Sequence, residues 1–295
     1  MNNRQRIDAE QTLYRTQQRV KKPDVYRNNI KKAKRIRHEL LAQEEDEMED
    51  DFVMQIASDS VNAASYLIGL NDTTVPVCFI HQIYSILPNP TLIDKELQEA
   101  IEKGEWRKFH VIGSVEDEYV IIKTEDYLKM MDEIKQEENN KTVFGNLVFL
   151  ASSLFFFSDI QVDIFIRLIK DKRYYSQVTI SAKDLNSFGI NDADIKQLVM
   201  NGFLLPHLQV GLYWFSFRKQ GHFMTNISNG RSEITRILKK RATKDIMESL
   251  LKSKRLHKTR LNMEFLLHDL VGSGRVERYS IGSTGNVIKL TNKGL

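Results

Sequence analysis

The feature that most constrains the fold is a layout that recurs three times after residue 52. In each instance an apolar helix is predicted to end near a glycine, since glycine readily adopts the left-handed conformation that closes a helix. Two short β-rich runs joined by a turn follow, as in a hairpin. The instances begin at Thr91, Asn191 and Asn262, their helices end near Gly104, Gly202 and the pair Gly272 and Gly274, and their hairpins turn near Gly113, Gly211 and the GSTGN segment from Gly282.

Further helical sequence precedes each instance, so each repeat is predicted to contain three helices and a hairpin in about 70 to 80 residues. This is the plan of a winged helix, a helix-turn-helix with an added β wing. We therefore expect an α+β, mainly helical fold, with three tandem winged-helix domains preceded by a charged, partly disordered N-terminal tail. The expected boundaries are 1–51 for the tail and 52–140, 141–217 and 218–295 for the three domains.

Cysteine content and hydropathy exclude several classes of protein. The single cysteine, Cys78, excludes an intramolecular disulfide framework and a multi-cysteine zinc site, and it fits a reducing compartment such as the cytosol or the nucleus. The start of the chain, MNNRQRIDAEQ, lacks the apolar core of a cleavable signal peptide. The longest apolar run, residues 143–157, is shorter than a membrane span and is followed closely by Asp159 and Asp163. We expect it to be a buried helix or core segment, and we expect no membrane partner.

Positive charge is concentrated in two blocks. Residues 1–42 contain 12 Lys or Arg against four acidic residues, and residues 218–260 contain 13 against three. The whole chain has a net charge of only +4, so the remaining residues are acidic on balance. Segregated positive charge predicts a polyanionic partner, which could be nucleic acid, an acidic membrane surface or an acidic protein.

The first basic block lies in the predicted tail. Its charge runs, together with the acidic block at 44–51, bury too little apolar surface to offset the entropy of ordering. Two basic clusters about ten residues apart have the spacing of a bipartite nuclear localisation signal. They comprise Lys21, Lys22, Lys31, Lys32, Lys34 and Arg35. The alternative is a solvated flexible tail with no role in import.

The second block includes residues 234–256, ITRILKKRATKDIMESLLKSKRL, which are predicted to form one amphipathic helix. A row at every fourth residue should face a core, and it consists of Ile234, Leu238, Ala242, Ile246 and Leu250. The basic side of the helix consists of Arg236, Lys240 and Lys244, flanked by Lys239 and Arg241. The join to the next helix adds Lys252, Lys254, Arg255, Lys258 and Arg260.

These basic residues predict binding to double-stranded DNA. The join between helices of a helix-turn-helix lies near the DNA backbone, where lysine and arginine neutralise phosphates. If six to eight of them each contact one phosphate, a plot of log affinity for duplex DNA against log salt concentration should have a slope of roughly −5 to −7. The third hairpin carries Arg275, Arg278 and Lys289, but its SIGSTGN tip is uncharged, so we expect weak sequence preference. A solvated basic face and a phospholipid surface are the alternatives.

No catalytic, metal or cofactor site is predicted, and no small-molecule substrate is expected. The GSGRVERYS segment from Gly272 has two glycines at the spacing of a kinase loop, but Glu277 stands where the third glycine is required. The histidines lack the spacing of metal ligands, and His268 is predicted to be a buried, hydrogen-bonded core residue. The helices that precede the first two hairpins are acidic, so the first two repeats are expected to pack or to bind proteins.

The C-terminal region resembles the serine/threonine-protein kinase 19 family. The resemblance is carried by RL at 260–261, HDL at 268–270 and the Ser-Thr-Gly wing at 283–285. Further matches are HQIYSILPNPTLIDKELQEAIEKGEWR from His81, KTEDY at 123–127 and NGR at 229–231, so it extends from about residue 75 to the end. The acidic block at 44–51 has no counterpart.

Despite the kinase name, this family lacks kinase motifs. The resemblance implies three tandem winged helices that bind double-stranded DNA in the nucleus. It also implies a chromatin-associated role in transcription-coupled nucleotide excision repair, alongside RNA polymerase II and its repair factors. It places the basic patch on Arg231, Lys239, Lys240, Arg241 and Lys244. The second hypothesis is a protein-interaction scaffold in a transcription or repair complex, and the third is a true kinase.

Overall fold

The computed structural model describes residues 58–112, 118–143, 159–282 and 285–294, and in this part of the chain one order of elements occurs three times. The first repeat contains α1 (Asp59–Gly69), β1 (Cys78–Phe79), α2 (Ile80–Tyr84), α3 (Pro90–Glu102), β2 (Trp106–Val111) and β3 (Glu118–Lys123), and the long helix α4 (Thr124–Val143) follows it. The second contains α5 (Asp159–Ile169), a 3-10 turn (Lys172–Tyr174), β4 (Thr179–Ser181), α6 (Ala182–Ser187), α7 (Asp192–Met200), β5 (Leu204–Pro206) and β6 (Leu212–Phe215). The third contains α8 (Gln220–Lys239), β7 (Asp245–Met247), α9 (Glu248–Lys252), α10 (Met263–Gly272), β8 (Val276–Ser280), β9 (Asn286–Leu290) and a 3-10 turn (Asn292–Gly294).

Each repeat has its own small antiparallel sheet. The strand orders are β1-β3-β2, β4-β6-β5 and β7-β9-β8, so the last strand of each repeat is central. The predicted hairpins are present, but each sheet has a third strand that the sequence reading missed. The segment VCFIHQIYSIL (residues 77–87) belongs to the sequence predicted to be helical ahead of the first hairpin, but it contains β1 near its start, in which Cys78 pairs with Ile121 and Phe79 with Val120. The expected α+β class, with helices and small antiparallel sheets, is confirmed.

The predicted helix ends near glycine are confirmed. Gly104, Gly202 and Gly274 follow α3, α7 and α10 with φ angles of 80°, 81° and 71°, in the region that favours glycine. The start of α7 also has a local cause, because Asn191 and Asp194 form a reciprocal capping box. These local signals fix where the helices begin and end.

The repeats share one continuous core, so none of them packs alone. Buried apolar side chains from all three form a single cluster. Arg107 of β2 is almost fully buried and donates to the carbonyl oxygens of Ile169 and Tyr174 in the second repeat, each at 3.1 Å. Burial lowers the pKa of Arg107. Tyr127 of α4 donates from its hydroxyl to the carbonyl of Ser216 at 2.8 Å. These bonds tie the first repeat and α4 to the second.

Several predictions concern residues outside the described ranges. They include the tail at 1–51 with its proposed nuclear localisation signal and acidic block, nearly all of the apolar run 143–157, and the turn of the first hairpin. Among the helices that the structure does describe, none is both long and apolar enough to cross a bilayer.

Candidate nucleic-acid interface

The stretch predicted as one helix over 234–256 consists of several elements. α8 ends at Lys239, an exposed turn covers residues 240–244, and β7 and α9 follow. The break is caused by pairing with the distant hairpin, since Ile246 lies opposite Ile288 and the amide of Leu290 donates to the carbonyl of Lys244 at 3.0 Å. Lys244 has a φ of 55°, which a continuing helix cannot contain. The single-helix prediction was wrong because strand pairing overrides local helix propensity.

The predicted apolar row is therefore only partly buried. Ile234, Leu238 and Ile246 are buried, whereas Ala242 lies in the exposed turn and Leu250 is 50% exposed on α9. The first two side chains belong to the buried face of α8 and the third belongs to β7. The basic side chains consequently occupy the end of α8, the turn and the loop before α10.

The turn at 240–244, called the basic turn below, has the sequence KRATK and is exposed at all five positions. Arg236 lies one helical turn before Lys240 on the same side of α8 and is also exposed. Within the described residues, neither Arg236 nor the basic side chains of the turn (Lys240, Arg241 and Lys244) form an ion pair. Their positive charges are available to a ligand.

A second basic segment, residues 253–262, is called the basic loop. Its exposed cations are Lys254, Arg255, Lys258 and Arg260. The buried carboxylate of Glu233 on α8 accepts from the amides of His257 and Lys258 at 3.1 and 3.0 Å, and Asn226 accepts from the amide of Arg260 at 3.2 Å. Burial alone would raise the pKa of Glu233, but these amides bring it below its usual value. The basic loop is thus fixed along α8.

A groove of about 460 Å³ lies beside α8 on the third repeat. Its cationic lining consists of Arg231, Arg236, Lys239, Lys240, Arg275 and Lys293. Ser232, Thr235 and Gly294 complete the described lining, which contains no carboxylate side chain. Lys293 could not be placed here from the sequence, because it is more than 50 residues from α8 along the chain.

The prediction for Arg231 requires correction, because its charge is already balanced. Its side chain is 12% exposed, and it donates to the two carboxylate oxygens of Asp269 at 2.6 and 2.7 Å. It also lies 3.0 Å from Glu118 of the first repeat. Burial would raise the pKa of Asp269, but Arg231 and His81 hold it well below the usual value. Arg231 joins two repeats and is not placed to bind a phosphate.

The charge of Lys252 is also paired with carboxylates of the third repeat. Its ammonium lies 3.3 Å from Glu248 and 3.1 Å from Glu264. Although burial acts to lower the pKa of Lys252, these two carboxylates raise it. Arg278, considered as a possible groove contact, is similarly 3.2 Å from Glu248. Glu248 lies four residues before Lys252 within α9, so that pair is local, whereas Glu264 lies on α10 and the contact of Arg278 with Glu248 joins β8 to α9, which the sequence does not show.

The helix that would enter a DNA groove in the third repeat, α10, is covered by the first repeat. Its buried side chains are Met263, Phe265, Leu266, Leu267, His268, Asp269 and Leu270. Gln82 of α2 donates to the carbonyl of Phe265 at 2.9 Å. The segment FLLHDLV, apolar on most sides, is typical of a buried helix and could have revealed this packing. α10 is therefore not free to read base edges.

The predicted burial of His268 is confirmed. Gly272 and Gly274, the two glycines of the GSGRVERYS segment, have structural roles. His268 is 7% exposed and its Nδ1 lies 2.7 Å from the hydroxyl of Ser85. A Cβ at Gly272 would lie 1.8 Å from the carbonyl oxygen of His81, so only glycine permits this contact between repeats. Gly274 supplies the positive φ of the turn before β8.

Comparison with known proteins gives consistent results. A family model described as inactive serine-threonine protein kinase 19 matches residues 57–290. The chain is similar to a Xenopus laevis protein named winged helix repair factor 1, with 26% identity over 226 residues, 74% of this chain and 79% of the relative. The protein of that name from Homo sapiens is 27% identical over 220 residues, 74% of this chain and 78% of the relative. A Dictyostelium discoideum protein of the same name is 26% identical over 62% of this chain and 52% of its own length.

Proposed function

Because this chain belongs to the family of inactive serine-threonine protein kinase 19, whose model matches residues 57–290, we propose that it is a non-enzymatic nuclear protein that binds double-stranded DNA. The three repeats are proposed to be tandem winged-helix domains with the boundaries 52–140, 141–217 and 218–295. The name of the relatives, winged helix repair factor 1, supports a role in DNA repair. We place that role in transcription-coupled nucleotide excision repair, where RNA polymerase II and repair factors are the proposed protein partners.

The exposed cations of the third repeat are the observation on which this proposal depends. Eight side chains form the set, which consists of Arg236, Lys240, Arg241, Lys244, Lys254, Arg255, Lys258 and Arg260. Lys239, whose side chain is exposed in the cationic groove, is included as a ninth candidate. The basic turn follows the C-terminal end of α8, and the basic loop is bonded to the same helix at Glu233 and Asn226. Phosphate neutralisation by exposed cations drives duplex binding.

Binding is proposed to depend on the DNA backbone more than on the bases. The packing of α10 against α2 keeps the helix that normally reads the major groove away from DNA. Contacts to phosphates carry no direct sequence information. Affinity should therefore be similar for unrelated duplexes.

The structural roles of two glycines disfavour the kinase hypothesis. Gly272 is required by the packing against His81, and Gly274 closes a turn. Packing and backbone conformation therefore explain both glycines without nucleotide binding. The description of the family model as an inactive kinase supports this view. No cofactor is proposed.

Charge reversal of the basic turn tests the proposal. Lys240, Arg241 and Lys244 are replaced together by glutamate, and binding to fluorescent duplexes of unrelated sequence is measured by anisotropy. Each lost phosphate contact costs roughly eightfold in affinity at about 0.1 M salt, so the triple variant should bind more than roughly 100-fold more weakly. Unchanged affinity in a variant that retains the circular dichroism spectrum would exclude this surface.

A matched control separates local contacts from net charge. Lys170, Lys183 and Lys196 are exposed in the second repeat, and their replacement by glutamate changes the net charge by the same amount. This control should retain most of the affinity. An equal loss in both triple variants would contradict a localised interface.

A scaffold function is the second candidate, and the tip of the second hairpin favours it. Leu208 and Val210 are 101% and 99% exposed, and the tip carries no charged residue to bind a phosphate. Fully exposed large apolar side chains at a protruding tip are typical of a protein contact. If the scaffold function holds alone, the purified chain should show no salt-dependent duplex affinity, and replacing both residues by serine should abolish binding to a co-purifying protein.

A further inference from the structure

Thr243 is the one hydroxyl residue in the basic turn. It is exposed, and its hydroxyl donates to the carboxylate of Asp245 at 2.5 Å. Backbone hydrogen bonds from the amides of Arg241 to Leu238 and of Lys244 to Arg241, at 3.0 and 3.1 Å, lie within or next to the turn, and its ends are bonded to Arg236 and Leu290. A short solvent-exposed segment of this kind opens locally at small cost. A protein kinase can therefore bind the turn in an extended conformation.

The residues before Thr243 also set it apart. Lys240 and Arg241 lie three and two residues before it, and no other serine or threonine in the sequence has basic residues at both of these positions. Protein kinases select their substrates in part by such charge patterns. The basic turn thus combines an exposed acceptor with the charge pattern that a basophilic kinase recognises.

We propose that Thr243 is a phosphorylation site through which a basophilic serine/threonine kinase weakens DNA binding by the third repeat. The regulatory part of this inference depends on the proposed DNA-binding function. In the reaction, the Thr243 oxygen attacks the γ-phosphorus of ATP and the bond from that phosphorus to the bridging oxygen breaks. ADP leaves and the hydroxyl proton passes to the base of the kinase.

The effect of the phosphate follows from its neighbours. It carries a charge of about −1.5 to −2 at neutral pH, and it would be placed among the cations Lys240, Arg241 and Lys244. It would therefore neutralise about two of the three charges that the turn offers to DNA. The hydrogen bond to Asp245 would be lost, because the phosphate has no proton to donate there and repels the carboxylate. Both changes oppose the approach of a DNA phosphate.

The experiment uses the full chain, ATP and cAMP-dependent protein kinase, which selects basic residues at these two positions. The number of phosphates incorporated is measured by intact-mass spectrometry, and their positions are found by peptide mass spectrometry. Both measurements are made on the unaltered chain, Thr243→Val and Ser253→Ala. Ser253 is the matched control, because it is exposed beside Lys252 and Lys254 but has leucine at both selected positions. We expect Thr243→Val to incorporate one phosphate fewer than the unaltered chain, and Ser253→Ala to incorporate the same number as the unaltered chain. Absence of phosphate at Thr243 would overturn the inference.

Duplex binding is then compared before and after modification. The phosphorylated chain should bind roughly 10- to 100-fold more weakly, with a salt slope shallower by about 2. Unmodified Thr243→Val should bind as the unaltered chain does, which separates loss of the hydroxyl from gain of charge. Equal affinity before and after phosphorylation would overturn only the regulatory inference. If the unmodified chain does not bind duplex DNA, the proposed function fails as well.

Discussion

The ion cluster around Arg231 gives the sharpest prediction about stability. Arg231→Met keeps much of the aliphatic length of the side chain but removes the guanidinium. Among the residues that the structure describes, Asp269, whose side chain is fully buried, would then keep only His81 as a side-chain partner, at 2.8 Å. Glu118, 4% exposed, would keep within the same ranges only a 3.5 Å contact with Arg275. Removing one partner of a buried ion pair costs about 3–5 kcal/mol, because it leaves an uncompensated charge.

Urea unfolding at pH 7, followed by circular dichroism, measures this loss. The unfolding free energy of Arg231→Met should fall by about 3–5 kcal/mol. The control Lys252→Met removes a more exposed ion pair and should cost about 0–1 kcal/mol. A loss below about 1 kcal/mol for Arg231→Met would refute the structural role that we assign to Arg231.

The same variants separate the structural role from a DNA contact. In Arg231→Met/Asp269→Asn both charges are absent, so the double variant should lose about 1–3 kcal/mol less than the sum of the single changes. The folded fraction of Arg231→Met should bind duplex DNA with nearly the affinity of the unaltered chain. A large loss of affinity without a loss of stability would return Arg231 to the binding surface.

Three further outcomes concern other features. Gly272→Ala should lower the unfolding free energy measured in urea by about 1–3 kcal/mol, because the added Cβ meets a backbone oxygen at 1.8 Å. The control Gly221→Ala in α8 has open space around its Cβ and should be neutral or stabilising. Equal effects of the two changes would contradict the close contact at Gly272. Arg107→Met should lower the melting temperature, with a loss of about 1–3 kcal/mol, because two buried carbonyls lose their donors. Since the folded pKa of Asp269 lies below its usual value, its contribution is present above about pH 4 and is lost as pH falls further. Unfolding free energy should thus fall more steeply below pH 4 in the unaltered chain than in Asp269→Asn, and parallel curves would contradict this assignment.

Features with a local cause could be predicted from the sequence. The glycines at 104, 202 and 274 end helices because their φ angles suit only that residue well, and the hairpins follow from β-rich runs around a turn. The burial of His268 follows from its apolar neighbours. These signals depend on residues that are close together in the chain.

The features that could not be predicted have non-local causes. β1 and β7 contain two and three residues, too few for a periodic pattern, and they exist because a strand more than 35 residues away pairs with them. The single helix predicted over 234–256 failed for the same reason. The charge of Arg231 could not be excluded from the interface in advance, because Asp269 and Glu118 lie 38 and 113 residues away.

The salt dependence of duplex binding by the full chain is the most direct test of the central claim, that exposed cations of the third repeat bind DNA phosphates. With six to eight of the available cations in contact, a log–log plot of affinity against salt should have a slope of roughly −5 to −7. Replacing Lys240, Arg241 and Lys244 by glutamate should make that slope shallower by roughly 3. A slope near zero, or a steep slope that the triple variant leaves unchanged, would contradict the account.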